Sequence, residues 1–129
     1  MEKQKVLNFL NKYNFIYSEK NNSIFVKLEL AQQIEIEFNE PNKIIIKDKL
    51  TGWNFLTGII QMSLKNALIY NFVGMLILGT LTMISANENN GLDFIPFLFV
   101  FSTWVILFSV FYIVKLENFK NQVINWTKE

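Results

Sequence analysis

The acidic pair Glu35 and Glu37 is the feature of this sequence closest to catalytic chemistry, since two carboxylates can act as general acid and base or hold a cation. The surrounding residues supply neither a nucleophile nor further ligands. The chain lacks cysteine, histidine and arginine, which excludes thiol chemistry, disulfides, the commonest metal ligand and bidentate phosphate clamps. We therefore expect no enzyme activity, no catalytic residue, no metal site and no cofactor.

Two long apolar runs without charge, 67–86 and 94–114, dominate the second half of the chain. Each contains about 20 residues, which at about 1.5 Å per residue is enough to cross a bilayer core about 30 Å thick. A chain of 129 residues is too short to bury two helices that are apolar on nearly every side. The runs therefore predict a transmembrane helical hairpin.

The distribution of lysine predicts the orientation of this hairpin. Residues 1–65 contain nine lysines, and the tail after residue 114 contains three. The link 87–93 contains two acidic residues and no lysine. By the positive-inside bias, we expect a multi-pass protein of the bacterial inner (cytoplasmic) membrane with both termini cytoplasmic. The net charge of +1 gives no support for nucleic acid as a partner.

The first 49 residues have the periodicities of a small α+β domain. Residues 2–13 place their apolar side chains on one helical face. Alternating apolar and polar residues predict four antiparallel strands, at 15–17, 24–30, 34–38 and 43–47. The predicted fold class is membrane α+β: a small antiparallel β-meander with an N-terminal helix, followed by a two-helix transmembrane hairpin and an amphipathic C-terminal tail.

The junction between the meander and the hairpin predicts a further helix, because its polar residues recur on one stripe. This helix either lies at the headgroup boundary or closes the core of the soluble domain. We expect Trp53 and Trp126 at the membrane interface. The predicted organisation is a cytoplasmic α+β domain (1–49), an amphipathic interfacial or linker helix (50–65), transmembrane helix 1 (66–86), an extracytoplasmic loop (87–93), transmembrane helix 2 (94–114) and a cytoplasmic amphipathic tail (115–129).

Small and polar residues share one side of the first apolar run, which favours contact with a neighbouring helix rather than with lipid. Lipid gains nothing from a small side chain, whereas a helix gains close approach and hydrogen bonds. The candidate helix–helix interface consists of Asn71, Gly74, Leu78, Gly79, Thr82, Ser85 and Ala86.

Aromatic residues follow the second run at alternating steps of three and four, so they share one stripe. In an antiparallel hairpin turning near Asn90, Trp104 would lie level with about Leu76. The stripe is interpreted either as packing or lipid contact, or as a slot for a quinone, a lipid tail or an isoprenoid. This aromatic seam consists of Phe94, Phe97, Phe101, Trp104, Phe108 and Phe111.

These features favour a non-enzymatic integral membrane protein that acts through protein contacts as an accessory or assembly subunit of a membrane complex. We expect membrane lipid as a partner, together with further copies of the chain or another membrane protein. An immunity-type protein that binds and neutralises a toxin is the first alternative. A lipid- or quinone-binding membrane protein that uses the aromatic seam is the second.

Overall fold

Residues 2–88 and 92–129 are described in a computed structural model of the chain. It confirms the N-terminal helix, the four-stranded antiparallel sheet and the two long apolar helices. The centre of the predicted link, 89–91, lies outside the described residues. The elements are α1 (Glu2–Lys12), β1 (Ile16–Lys20), β2 (Ser23–Lys27), β3 (Gln32–Glu40), β4 (Lys43–Leu50), α2 (Leu64–Ala86) and α3 (Ile95–Lys128).

The sheet is a meander in which each strand pairs with the next, in the order β1-β2-β3-β4. Its register follows the isoleucine–glutamate alternation of β3. Ile34 and Ile36 are fully buried on the inner face, while Glu35 lies on the other face opposite Lys47 of β4. The β1–β2 turn carries Asn21 at a φ of +54°, a left-handed conformation that asparagine tolerates better than most residues.

The β2–β3 turn begins earlier than the predicted strand 24–30 allows, since β2 ends at Lys27. Leu30 and Ala31 both adopt left-handed φ angles, +56° and +63°. Such a conformation costs residues with a Cβ about 1–2 kcal/mol each. Three bonds from outside hold the turn. Tyr112 Oη donates to the Leu30 carbonyl at 2.7 Å, and the N–H and hydroxyl of Thr51 donate to the Ala31 carbonyl at 2.7 and 3.2 Å.

The core of the α+β domain lies between the inner face of the sheet and two helices, α1 and the second half of α3. Phe9 of α1 meets Phe119 of α3 with ring centroids 6.2 Å apart. The prediction that the second apolar helix continues as an amphipathic tail is confirmed, and α1 and the sheet cover the apolar face of this tail. The fully buried side chains include Val6, Leu10, Ile24, Val26, Ile34, Ile36, Leu50, Tyr112 and Val123.

The outer face of the sheet carries the acidic pair noted in the sequence. Glu37 Oε1 binds Lys47 Nζ at 2.5 Å, and this hydrogen bond raises the pKa of Lys47 above its ordinary value. Glu35 lies directly opposite the same lysine in the register. The two carboxylates therefore form part of a solvated ion-pair face.

The predicted helix at 50–65 is wrong for residues 51–63, because α2 begins only at Leu64. The chain instead leaves β4, turns back between Asn54 and Gly58, and returns to form an antiparallel bridge between Leu50 and Met62. Gly52 and Gly58 have φ angles of +66° and +63°, which interrupt a helix. We refer to residues 51–63 as the finger.

Both apolar helices are long enough to cross a membrane. Their most apolar windows have mean hydropathies of 1.9 in α2 and 2.4 in α3. Two side chains fix the start of α2: Asp48 Oδ2 accepts from the Leu64 N–H at 2.7 Å, and Ser63 Oγ accepts from the Asn66 N–H at 3.3 Å. The finger follows Leu50, α2 begins beside Asp48, and Tyr112 of α3 binds the β2–β3 turn. The finger and the two helices therefore meet the sheet at the same end.

Candidate functional site

The tip of the finger, residues 54–58, is built around the side chain of Asn54. Asn54 Oδ1 accepts from the N–H groups of Leu56 and Thr57 at 3.1 and 2.8 Å, and Asn54 Nδ2 donates to the Gly58 carbonyl at 3.0 Å. The backbones of Asn54 and Gly58 exchange two further bonds, at 2.9 and 3.0 Å. The Thr57 hydroxyl donates to the Ile60 carbonyl at 2.6 Å, and the Thr57 carbonyl accepts from the Ile60 N–H at 3.3 Å. This Asx-type turn competes with helix formation.

Side chains of α2 and α3 bind the remaining polar groups of the tip. Trp104 Nε1–H donates to the Phe55 carbonyl at 2.6 Å, and Tyr112 Oη accepts from the Phe55 N–H at 3.3 Å. Asn71 Nδ2 donates to the Leu56 carbonyl at 2.9 Å. Each backbone N–H and C=O from residue 54 to 58 thus has a partner within the described residues.

The aromatic ring of Phe55 packs against one stripe of α3. It stacks on Phe108 with centroids 4.3 Å apart and planes 6° apart, and it lies 5.6 Å from Trp104. Trp104, Phe108 and Tyr112 are four residues apart, so they share one helical face. The finger therefore occupies the face of α3 that two residues of the predicted aromatic seam provide.

Tyr112 joins three parts of the fold. Its side chain is fully buried, and its hydroxyl contacts both the Leu30 carbonyl in the β2–β3 turn and the Phe55 N–H in the finger. Gln32 Nε2 donates to the Tyr112 carbonyl at 3.3 Å. The sheet, the finger and α3 consequently meet at this one residue.

The outward side of the finger carries exposed apolar side chains. Trp53 is 60% exposed and Ile59 is 80% exposed, and Ile60 is also exposed. The Trp53 indole meets the Phe55 ring edge to face, at 4.9 Å. The placement of Trp53 at a membrane interface stays a prediction.

The predicted helix–helix interface falls into two groups. Gly74 lies against α3, since a methyl group there would lie 3.4 Å from Phe101 Cζ. Leu78 lines a cavity with α3, and Asn71 is buried against the finger. A methyl group at Gly79 would meet no heavy atom within 4 Å among the described residues.

The last three residues of the predicted interface lie toward the end of α2. Thr82 Oγ1 donates to the Leu78 carbonyl of its own helix at 2.8 Å. Ser85 Oγ donates to the Leu92 carbonyl, which ties the end of α2 to the start of the next segment. Ala86 is exposed. The structure therefore gives these residues local roles within the hairpin.

The residues of the predicted aromatic seam contact different parts of the fold along its length. Phe101 contacts α2 at Gly74, whereas Trp104 and Phe108 contact the finger. Phe111 lies at an angle of 82° to the Tyr112 ring near the core. The expected level of Trp104 opposite Leu76 is wrong, because its indole binds the Phe55 carbonyl in the finger and Phe101 is the ring that lies against Gly74 of α2.

The first part of the seam borders an apolar cavity of about 490 Å³ between α2 and α3. Five of its six lining residues have no polar side-chain atom, and the Trp104 N–H is already bound to the Phe55 carbonyl. Small-molecule sites normally combine an apolar lining with a few polar groups that fix orientation. The cavity thus suits an acyl chain better than the polar ring of a quinone. Its lining residues are Leu78, Phe94, Phe97, Val100, Phe101 and Trp104.

Trp126, which we expected at the membrane interface, has a different environment. Its ring packs against Phe9 and Tyr13 of α1, with centroids 5.9 and 6.1 Å apart, and Lys12 Nζ lies 4.5 Å from its ring. Trp126 follows Val114 by 12 residues of continuous helix, about 18 Å along the axis. It therefore belongs to the packing of the α+β domain.

Sequence reasoning missed the residues that organise the finger, Asn54, Thr57 and Tyr112. The available signal was local: Asn54 and Thr57 precede Gly58 at the spacing of an Asx turn, and Gly52 lies just before them. Among the described residues, no three acidic side chains converge on a possible metal position. Comparisons with protein families, curated proteins and solved structures find no match to this chain.

Proposed function

We propose that this chain is an integral protein of the bacterial inner membrane, in which α2 and α3 span the bilayer with both termini cytoplasmic. The hairpin anchors a small α+β domain. The protein acts without catalysis, through contacts with protein partners, as an accessory or assembly subunit of a membrane complex, and it forms oligomers. Membrane lipid is its second partner.

The low internal burial of the two apolar helices carries this proposal. Only 11% of the most apolar window of α2 and 17% of that of α3 is buried within the chain. The core helix of a soluble protein buries most of its apolar surface, whereas these helices expose large side chains on most sides. A bilayer provides the missing apolar surroundings.

The finger supports the same proposal through its hydrogen bonds. Asn71 of α2 binds the finger tip seven residues after the start of that helix, about 10 Å along its axis. At that depth beside a spanning helix, water is scarce and an unpaired backbone group costs several kcal/mol. Full pairing of residues 54–58 is what this environment requires.

Single cysteines test the orientation cleanly, because the chain contains no cysteine of its own. Glu88 follows the end of α2, and Lys20 lies in the α+β domain; both are exposed. In intact cells, we expect a membrane-impermeant maleimide to label Glu88→Cys and to label Lys20→Cys only after lysis. The reverse pattern would overturn the orientation. A chain that remains soluble and monodisperse without detergent would overturn the proposal itself.

Substitutions at two glycines of α2 distinguish packing within one chain from contact between two chains. Gly74→Leu inserts a side chain against Phe101, so we expect it to lower the free energy of unfolding by about 1–3 kcal/mol. Gly79→Leu has open space around it among the described residues, and leucine is the better helix former. We expect Gly79→Leu to preserve the fold but to disrupt the oligomer.

Light scattering of each variant in mild detergent, combined with denaturant unfolding, checks both expectations. Wild type should be larger than one protomer, and Gly79→Leu should shift toward the monomer while keeping the helical content of wild type. An oligomer that is indifferent to Gly79→Leu would show that this face of α2 does not contact another copy.

A further inference from the structure

Lysines gather at the end of the sheet from which the finger and the two apolar helices emerge. Lys27, Gln33 and Lys49 lie directly opposite one another on three adjacent strands, so the two lysines share one row on the outer face. Both lysines are exposed. Because neighbouring strands are about 4.8 Å apart, the backbones of the two lysines are separated by about 10 Å.

Two further lysines come from the apolar helices at the same level. Lys65 is exposed and follows Leu64, whose N–H is bound to Asp48 next to Lys49. Lys115 is the first charged residue after the apolar run of α3, and its Nζ lies 3.2 Å from Glu29 Oε2. We call Lys27, Lys49, Lys65 and Lys115 the basic collar.

Two lysines of β4 outside the collar form ion pairs. Lys43 pairs with Glu40 at 2.9 Å, and Lys47, two residues before Lys49, pairs with Glu37 at 2.5 Å. Within the described part of the chain, Lys27, Lys49 and Lys65 have no ion-pair partner within 4 Å. Glu35 on the same face and Asp48 beside Lys49 are close in the register but form no ion pair with these three lysines, so the three cations remain available to anions from outside.

A groove of mixed polar and apolar lining lies beside the collar. It has a volume of about 710 Å³ and lies between Lys27 and Lys115, with the apolar side chains of Leu28 and Phe119 and the carboxylate of Glu29 among its lining. Cations next to apolar side chains match a phospholipid at the bilayer surface, where a charged phosphate lies above glycerol and acyl chains.

We propose that the basic collar binds the headgroups of anionic phospholipids in the membrane that surrounds α2 and α3. The inference rests on the proposed membrane insertion. The four lysines are spread over two helices and one end of the sheet. This arrangement fits a plane of many phosphates better than one small anion. Each lysine close to such a surface strengthens binding, and the effect fades within a Debye length of about 8 Å.

The test compares two variants with equal loss of charge. The collar variant carries Lys27→Gln, Lys49→Gln and Lys65→Gln, and the control carries Lys20→Gln, Lys43→Gln and Lys128→Gln. All six lysines are exposed, so both variants should fold like wild type. The control lysines lie farther from the collar: Lys43 is seven strand rows from Gln33, about 23 Å, and Lys128 is about 20 Å beyond Lys115 along α3.

Native mass spectrometry of the detergent-purified full chain, titrated with phosphatidylglycerol or phosphatidylcholine, measures the affinity for each lipid. We expect wild type to prefer phosphatidylglycerol. For each phosphatidylglycerol that the collar holds, the affinity should fall about fivefold per lysine removed from its headgroup, so the collar variant should retain fewer bound lipids than wild type, whereas the control should change less than about twofold.

Three results would overturn the proposal that the basic collar binds anionic phospholipids. They are equal affinity of wild type for the two lipids, equal losses in the two variants, or displacement of phosphatidylglycerol by inorganic phosphate at the lipid concentration. If wild type requires detergent yet gives any of these results, only the collar fails. If wild type is soluble without detergent, the proposed membrane insertion fails as well.

Discussion

Replacement of Asn54 by alanine should lower the free energy of unfolding by about 3–5 kcal/mol, because it leaves two buried N–H groups without an acceptor. These are the N–H groups of Leu56 and Thr57, which Asn54 Oδ1 binds at 3.1 and 2.8 Å. Asn54 is 1% exposed, so water does not reach the site to replace the lost bonds. The loss is a large part of the 5–15 kcal/mol that stabilises a typical domain.

The sign of this effect distinguishes the finger from a helix over the same residues. Alanine is the best helix former, so Asn54→Ala would stabilise an amphipathic helix by up to about 0.7 kcal/mol. Asn54→Ser keeps a shorter acceptor and should lose about half as much stability as alanine. The exposed Asn118→Ala serves as the control. Denaturant unfolding in detergent micelles, followed by circular dichroism, gives all four values, and a neutral or stabilising Asn54→Ala would contradict the finger.

The finger also explains where prediction from sequence succeeded and failed. Alternation in residues 34–38 predicted the β3 face correctly, because a strand with one buried face sorts its side chains by position alone. Periodicity over residues 50–64 predicted a helix, because it measures only where polar side chains recur. It does not measure whether a side chain such as Asn54 binds its own backbone, and that competition decided the local structure.

The candidate site was predictable only in part. The turn residues of the finger are close together in sequence, but the side chains that bind them come from distant positions in α2 and α3. Of the small residues on one side of α2, Gly74 lies against Phe101 of α3. The partners of Asn71 and Trp104, however, are backbone groups of the finger. The prediction considered only α2 and α3 as packing partners. It therefore placed Trp104 opposite α2, whereas a third segment, the finger, binds its indole.

Tyr112→Phe is the second substitution expected to have a large effect, although it removes a single oxygen atom. The hydroxyl donates to the Leu30 carbonyl at 2.7 Å and accepts from the Phe55 N–H at 3.3 Å. Phenylalanine keeps the ring packing but removes the partner of both backbone groups, which lie at partly buried positions. Because water can reach part of this site, we expect a loss of about 1–3 kcal/mol in the free energy of unfolding.

The same substitution should loosen the β2–β3 turn, because the Tyr112 bond is one of three that hold Leu30 and Ala31 in left-handed conformations, and the one that binds Leu30. Hydrogen exchange should therefore increase at this turn and at Phe55 before it increases in the strands. Tyr70→Phe, at an exposed position on α2, is the matched control and should change stability by less than about 0.5 kcal/mol. If Tyr112→Phe proves as mild as this control, the hydroxyl does not connect the finger to the sheet. If the free energy of unfolding falls strongly but hydrogen exchange at the β2–β3 turn does not change, the Tyr112 hydroxyl stabilises the fold through Phe55 alone.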